Sequence, residues 1–95
     1  MNISEIQPGM TGVRTKGTVK EIEEARSVNT RFGVKEVANA VLEDESGTVK
    51  LTLWGDQIKQ VKMGNEVEVV NAFAREWRGE IQLSIGRGGE LKVLK

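Results

Sequence analysis

The chain has 95 residues, with 14 basic and 14 acidic side chains that cancel to a formal net charge of zero. That length builds one modest core, and residues 1–95 are expected to form a single domain. Cys and His are both absent, which argues against zinc, thiol and His-based chemistry, so no metal or other cofactor is expected.

No signal peptide, bilayer-length apolar run or lipidation motif is visible, so a soluble cytoplasmic protein with no membrane partner is expected. Charge balance counts slightly against a nucleic-acid binder, although the placement of charges matters more than their sum. Eleven glycines and one proline suit a turn-rich β fold.

Residues 1–12 read as an extended lead-in covering one end of the core, with a turn at Pro8-Gly9. Val13–Arg26 reads as the first strand, and Gly17 in its middle marks a bend of the kind a small closed barrel needs. Ser27–Gly33 reads as a loop. Val34–Glu43 and Thr48–Trp54 read as an antiparallel pair turning through residues 44–47. Leu42 then faces Val49, Ala40 faces Leu51 and Ala38 faces Leu53. Trp54, Thr52 and Lys50 fall on the other side, with Val37, Asn39 and Val41.

Gly55–Gly64 is a short helix candidate, with Asp56 as its cap, Ile58 and Val61 on one face and Gly64 as its stop. Glu66–Trp77 reads as a strand in which Val67 and Val69 must face the same way as Ala72 and Ala74. That change of parity requires a β-bulge near Val70-Asn71. Ile81–Ile85 reads as the fifth strand, Gly86–Gly89 as a turn and Leu91–Leu94 as a closing segment.

The segment Asn71–Ile85 carries the most information. A tight turn at Arg78-Gly79 sets Trp77 opposite Glu80, Arg75 opposite Gln82 and Phe73 opposite Ser84. Ala72, Ala74, Ile81, Leu83 and Ile85 lie on the other side and demand burial. Phe73 and Trp77 therefore face outward, flanking an arginine. Burying large aromatics is favourable for a small domain, so rings left outside point to a partner. Three strands, a short helix and two strands give an all-β, five-stranded Greek-key barrel, the OB-fold, with the helix between strands 3 and 4.

The blocks GTVKLTLWGD and NAFAREWRGEIQLSIGRGGEL, with PGM near the start and EARSVNTRFGV between, resemble archaeal single-stranded DNA-binding proteins with one OB-fold. They also resemble the OB modules of archaeal replication protein A and the simple eukaryotic single-strand binders. The resemblance covers nearly the whole chain. It implies single-stranded DNA binding with little sequence preference, in replication, recombination or repair. It implies base stacking at Trp54, Phe73 and Trp77, with contacts from Arg26, Val28, Arg31 and Lys35. Single-domain members carry a tail after the fold, and this chain stops at Lys95, which suits a module of a longer protein. Other domains or subunits of a replication protein A-like assembly are then possible partners. Ser84 stands where some relatives have a further aromatic.

Stacking needs only a flat π-face, so aromatics can hold bases of any sequence. Phosphates need cations along the same track. Arg75 and Arg78 join the set beside the aromatics, whereas Lys50 or Lys35 taken alone reads better as a solvated surface charge. Glu80 is an awkward acidic neighbour of Trp77. Phe32 is equally open to a role at the surface or to folding back on the core. No carboxylate pairs with a nucleophile, metal set or phosphate loop, so an enzyme is not expected. An RNA-binding or protein-docking OB module remains the alternative.

Overall fold

The computed structural model describes residues 1–95 apart from the side chains of Gly86 and Arg87. The elements are β1 (Val13–Ile22), β2 (Arg26–Thr30), β3 (Gly33–Asp44), β4 (Gly47–Trp54), α1 (Asp56–Gln60), β5 (Glu66–Trp77) and β6 (Glu80–Val93). The sheet order is β1-β5-β6-β4-β3-β2, and β1 pairs with β3 as well. Five strands thus form a closed circuit, and β2 hangs on its outside as an edge. β4 and β6 run parallel, while the other neighbours are antiparallel.

Closure depends on β1 serving two neighbours. Its first part pairs with β5 and its last part with β3. The change-over falls at Gly17, where an added Cβ would lie 2.9 Å from the Glu43 carbonyl oxygen. Only a residue without a side chain allows the two backbones that close. On β5 the ladder shifts between Val70 and Ala72, with Asn71 in the left-handed region at φ 58°. This is the expected bulge, and it lets Val67, Val69, Ala72 and Ala74 all point inward.

The interior is aliphatic. Leu42, Leu51, Leu53, Leu83, Val13, Val19, Val67 and Val69 are fully buried. Ile3 and Ile6, from the lead-in, join the same cluster. A 3-10 turn at Ile3–Glu5 is held by Asp44, whose carboxylate accepts the Ile3 N–H at 2.9 Å. The same carboxylate accepts the Ser46 N–H and hydroxyl and the Gly47 N–H. The Ser46 hydrogen bond, followed by that of Ile3, holds the Asp44 carboxyl below its ordinary range. Among the described residues no aromatic ring belongs to the buried core.

Three local expectations change. The Ser27–Gly33 loop is mostly strand, because β2 pairs with β3 from Arg26↔Val37 to Thr30↔Gly33, and β1 accordingly ends at Ile22. The helix is a single short turn whose N-cap is Gly55, with Asp56 inside the first turn rather than capping it. It stops at Gln60 because Val61 leaves helical geometry and is buried, well before Gly64. The expected Gly86–Gly89 turn is strand instead, because β6 runs from Glu80 to Val93, and Leu91–Val93 belongs to β6 rather than to a separate segment. At Gly89 the missing side chain has a packing cause, since a Cβ would lie 2.7 Å from Ile85 Cγ2 and 3.1 Å from the Asn71 and Val70 carbonyl oxygens.

Candidate nucleic-acid interface

Residues opposite one another in a ladder point to the same side of a sheet. The ladder partners therefore assemble the outer face into rows. Arg26, Val37 and Trp54 form one row across β2, β3 and β4. Asn39, Thr52, Ser84 and Phe73 form the next, across β3, β4, β6 and β5. Val41, Lys50, Gln82 and Arg75 form the third. Glu80 and Trp77 end the β5–β6 hairpin. The register around Arg78-Gly79 is the one the sequence predicts, pair for pair.

This face encloses an open groove of about 670 Å³. Its lining includes Arg26, Val28, Trp54, Arg75, Trp77 and Arg78 among the sequence-predicted residues. Trp77 is 60% exposed and Trp54 38% exposed. Trp54 sits at the end of β4, where its backbone N–H donates to Gln57 Oε1 at 3.0 Å and the next N–H, of Gly55, donates to the Glu36 carbonyl at 2.9 Å. Those two bonds tie the strand end to α1 and β3 and fix where the indole leaves the backbone.

Phe73 lies in the second row but is half-buried, and the Arg75 guanidinium covers its ring at 4.9 Å from the centroid. Arg78 lies 5.5 Å over the Trp77 ring. Both turn residues have positive φ, 51° at Arg78 and 82° at Gly79, as a two-residue hairpin turn requires. Asn or Gly would occupy the first of those positions with less strain. Lys35 is paired with Val28 on the groove side of the β2–β3 hairpin, outside the groove lining. Arg31 lies at the tip of that hairpin, also outside the lining.

The polar floor is the part that residue-by-residue reading passes over. Asn39, Thr52, Gln82 and Ser84 all line the groove, and the Thr52 hydroxyl donates to Asn39 Oδ1 at 3.2 Å. Parity alone places these side chains outward, but the alignment of Asn39 and Thr52 with Ser84, and of Lys50 with Gln82, depends on the parallel β4–β6 pairing. Lys50 is no isolated surface charge. Its ammonium lies 3.1 Å from a Glu80 carboxylate oxygen and 4.0 Å from one of Glu23. The Glu80 hydrogen bond, then the Glu23 charge, raise the Lys50 pKa. The groove lining thus holds four cations, Arg26, Lys50, Arg75 and Arg78, against two carboxylates, Glu76 and Glu80. A neutral chain carries a locally positive trough.

A closed circuit of five strands with indoles, guanidiniums and amides along one open groove defines a small Greek-key barrel of the OB-fold class. Residues 10–93 match the family described as single-stranded DNA binding protein Ssb-like, OB fold, and the chain belongs to that family. The Single-stranded DNA binding protein Ssb of Saccharolobus solfataricus is 37% identical over 84 residues, covering 88% of this chain and 57% of that protein. The chain therefore spans a little over half the length of that relative. In fold, it is similar to the replication factor A related protein of Methanobacterium thermoautotrophicum, with TM-score 0.84, 21% identity, and coverage of 100% of this chain and 90% of that one. An OB domain from Thermoplasma acidophilum gives TM-score 0.85 at 18% identity, over 100% of this chain and 86% of that one.

Proposed function

We propose that the chain binds single-stranded DNA with little sequence preference along the groove, as a non-enzymatic module of DNA replication, recombination or repair. The observation that carries this reading is the placement of Trp54 and Trp77 on one open, cation-lined face above a core without aromatics. The Ssb relative, named for single-stranded DNA binding, supports the same polymer. Bases stack on Trp54 and Trp77. Phe73 becomes a third platform once Arg75 swings from its ring to a phosphate. Arg26, Val28, Arg31, Lys35 and Arg78 complete the track, with Lys50 held in reserve by its carboxylate partners. Residues 1–95 act as one OB domain, which suits assembly with further domains or subunits of a replication protein A-like protein.

Each stacked base is worth about 1–3 kcal/mol by alanine substitution, so two or three platforms supply several kcal/mol gross, less the cost of ordering the strand. Titration with oligo-dT is expected to quench tryptophan fluorescence. The affinity should fall linearly in log–log form with salt, with a slope of about −0.7 per phosphate neutralised. Matched RNA and duplex DNA run beside it read out polymer choice. Unchanged fluorescence at low salt with excess oligo-dT would count decisively against the proposal.

A further inference from the structure

Phe32 is the most exposed large hydrophobic side chain described, at 81%, and Val34 beside it is 67% exposed. Phe32 stands at the tip of the β2–β3 hairpin, which the sequence presents as an unstructured loop. The tip is built. The Thr30 hydroxyl donates to the Gly33 carbonyl at 2.7 Å and accepts the Phe32 N–H at 3.1 Å. Gly33 takes φ 112°, a value that suits glycine. One side chain thus braces both ends of a turn that presents a phenyl ring to solvent.

The hairpin continues the groove. Its Arg26–Val37 pair is in register with Trp54 on β4, and its next pair on the same face is Val28–Lys35. Alternation puts Arg26, Val28 and Thr30 of β2 with Lys35 and Val37 of β3 on that face, and assigns the hairpin's acidic residue, Glu36, to the other. One face of the hairpin therefore carries cations and apolar groups and no carboxylate. Gly33 lies four residues from Val37, about 13 Å at strand spacing, room for at most about four more nucleotides at a stacked rise of 3.4 Å.

We infer that Phe32 is the end platform of this hairpin, stacking on a base of the single strand after it leaves the Trp54–Trp77 groove. The inference rests on the reading of the groove as a single-strand site. Charge and continuity favour a nucleic-acid strand as the occupant, since the hairpin's cationic face continues the row that ends in Trp54.

The test is a pair of tryptophan-quenching titrations on the full chain at low salt, one with an oligo-dT just long enough to span the groove and one about four nucleotides longer. Phe32→Ala should bind the longer oligomer about five-fold or more weakly than the parent and the shorter one equally. Phe32→Trp should gain extra quenching with the longer oligomer only. Because the ring is solvent-exposed, both variants keep the fold, which circular dichroism checks. Equal affinity of parent and Phe32→Ala for the longer oligomer overturns the inference. So does a Phe32→Ala variant that loses only self-association by sedimentation without DNA, because Phe32 would then dock a second copy of the chain. Absence of quenching in the parent chain with either oligomer would instead overturn the groove itself.

Discussion

Gln82 and Leu83 are neighbours on β6, yet they serve opposite sides of one sheet. Leu83 is wholly buried among aliphatic side chains, whereas Gln82 faces the groove between Lys50 and Arg75. The same division runs through β3, β4 and β5. Inward positions hold Ala, Val, Leu and Ile, and outward positions hold amides, hydroxyls, cations and rings, with Val37 and Val41 among them. Stability and recognition are thereby carried by alternate residues of the same strands. A side chain on one face can be changed with little consequence for the other, and that separation can be tested directly.

The largest effect is expected from the inner face. Leu83→Ala leaves a cavity against the facing β strands, and truncating a buried leucine costs about 2–5 kcal/mol. For a domain whose total stability is about 5–15 kcal/mol, this is a large part of the whole. Urea denaturation should show a strongly lowered midpoint with an unchanged m-value. Oligo-dT affinity of the folded fraction should stay at the parent value. A substantial loss of that affinity would show that the two faces are coupled after all.

Next comes the opposite substitution. Trp77→Ala should weaken oligo-dT binding by about 1–3 kcal/mol and move stability by no more than about 0.5 kcal/mol, as for other exposed positions. Full affinity in a folded Trp77→Ala variant would remove that indole from the site. A large fall in the unfolding midpoint would reassign it to holding the hairpin together.

The same division explains what could be read in the sequence. Where one face is buried, alternation is unmistakable, and a tight turn then fixes register. Hence Phe73↔Ser84, Arg75↔Gln82 and Trp77↔Glu80 are predictable, as is the bulge that lets Val69 and Ala72 both face inward. β2 is different, because neither face of Arg26–Thr30 is buried. An edge strand with no hydrophobic period looks like a loop, and the standing of Phe32 could not be settled without it. Glycine misled once more in β6, where Gly89 permits close approach of Ile85 and the bulge backbone instead of marking a turn. In the sequence Lys50 looks like an isolated charge, because its partner Glu80 is remote in the chain and reaches it through the parallel β4–β6 contact.

That ion pair gives the smallest effect and the finest probe of the groove face. Glu80 places a carboxylate 3.1 Å from the Lys50 ammonium, beside a path proposed for phosphates. A bound strand must then either displace the carboxylate or tolerate its charge. Glu80→Gln keeps the shape, removes one negative charge from the lining and frees Lys50 for a phosphate. Binding of oligo-dT should tighten a few-fold at low salt, and the log–log salt slope should steepen by about 0.7 for one additional phosphate neutralised. The pair is half-exposed, and exposed ion pairs contribute little to stability, so the unfolding midpoint should scarcely move. An unchanged slope together with unchanged affinity would place the strand's phosphates away from Lys50, on the arginines at the groove's margins. Weaker binding would assign Glu80 a direct favourable contact with the strand, such as accepting a hydrogen bond from the thymine N3–H. That contact would itself introduce a sequence preference, detectable by comparing oligo-dT with oligo-dC, since cytosine N3 carries no hydrogen and turns a lone pair toward the carboxylate.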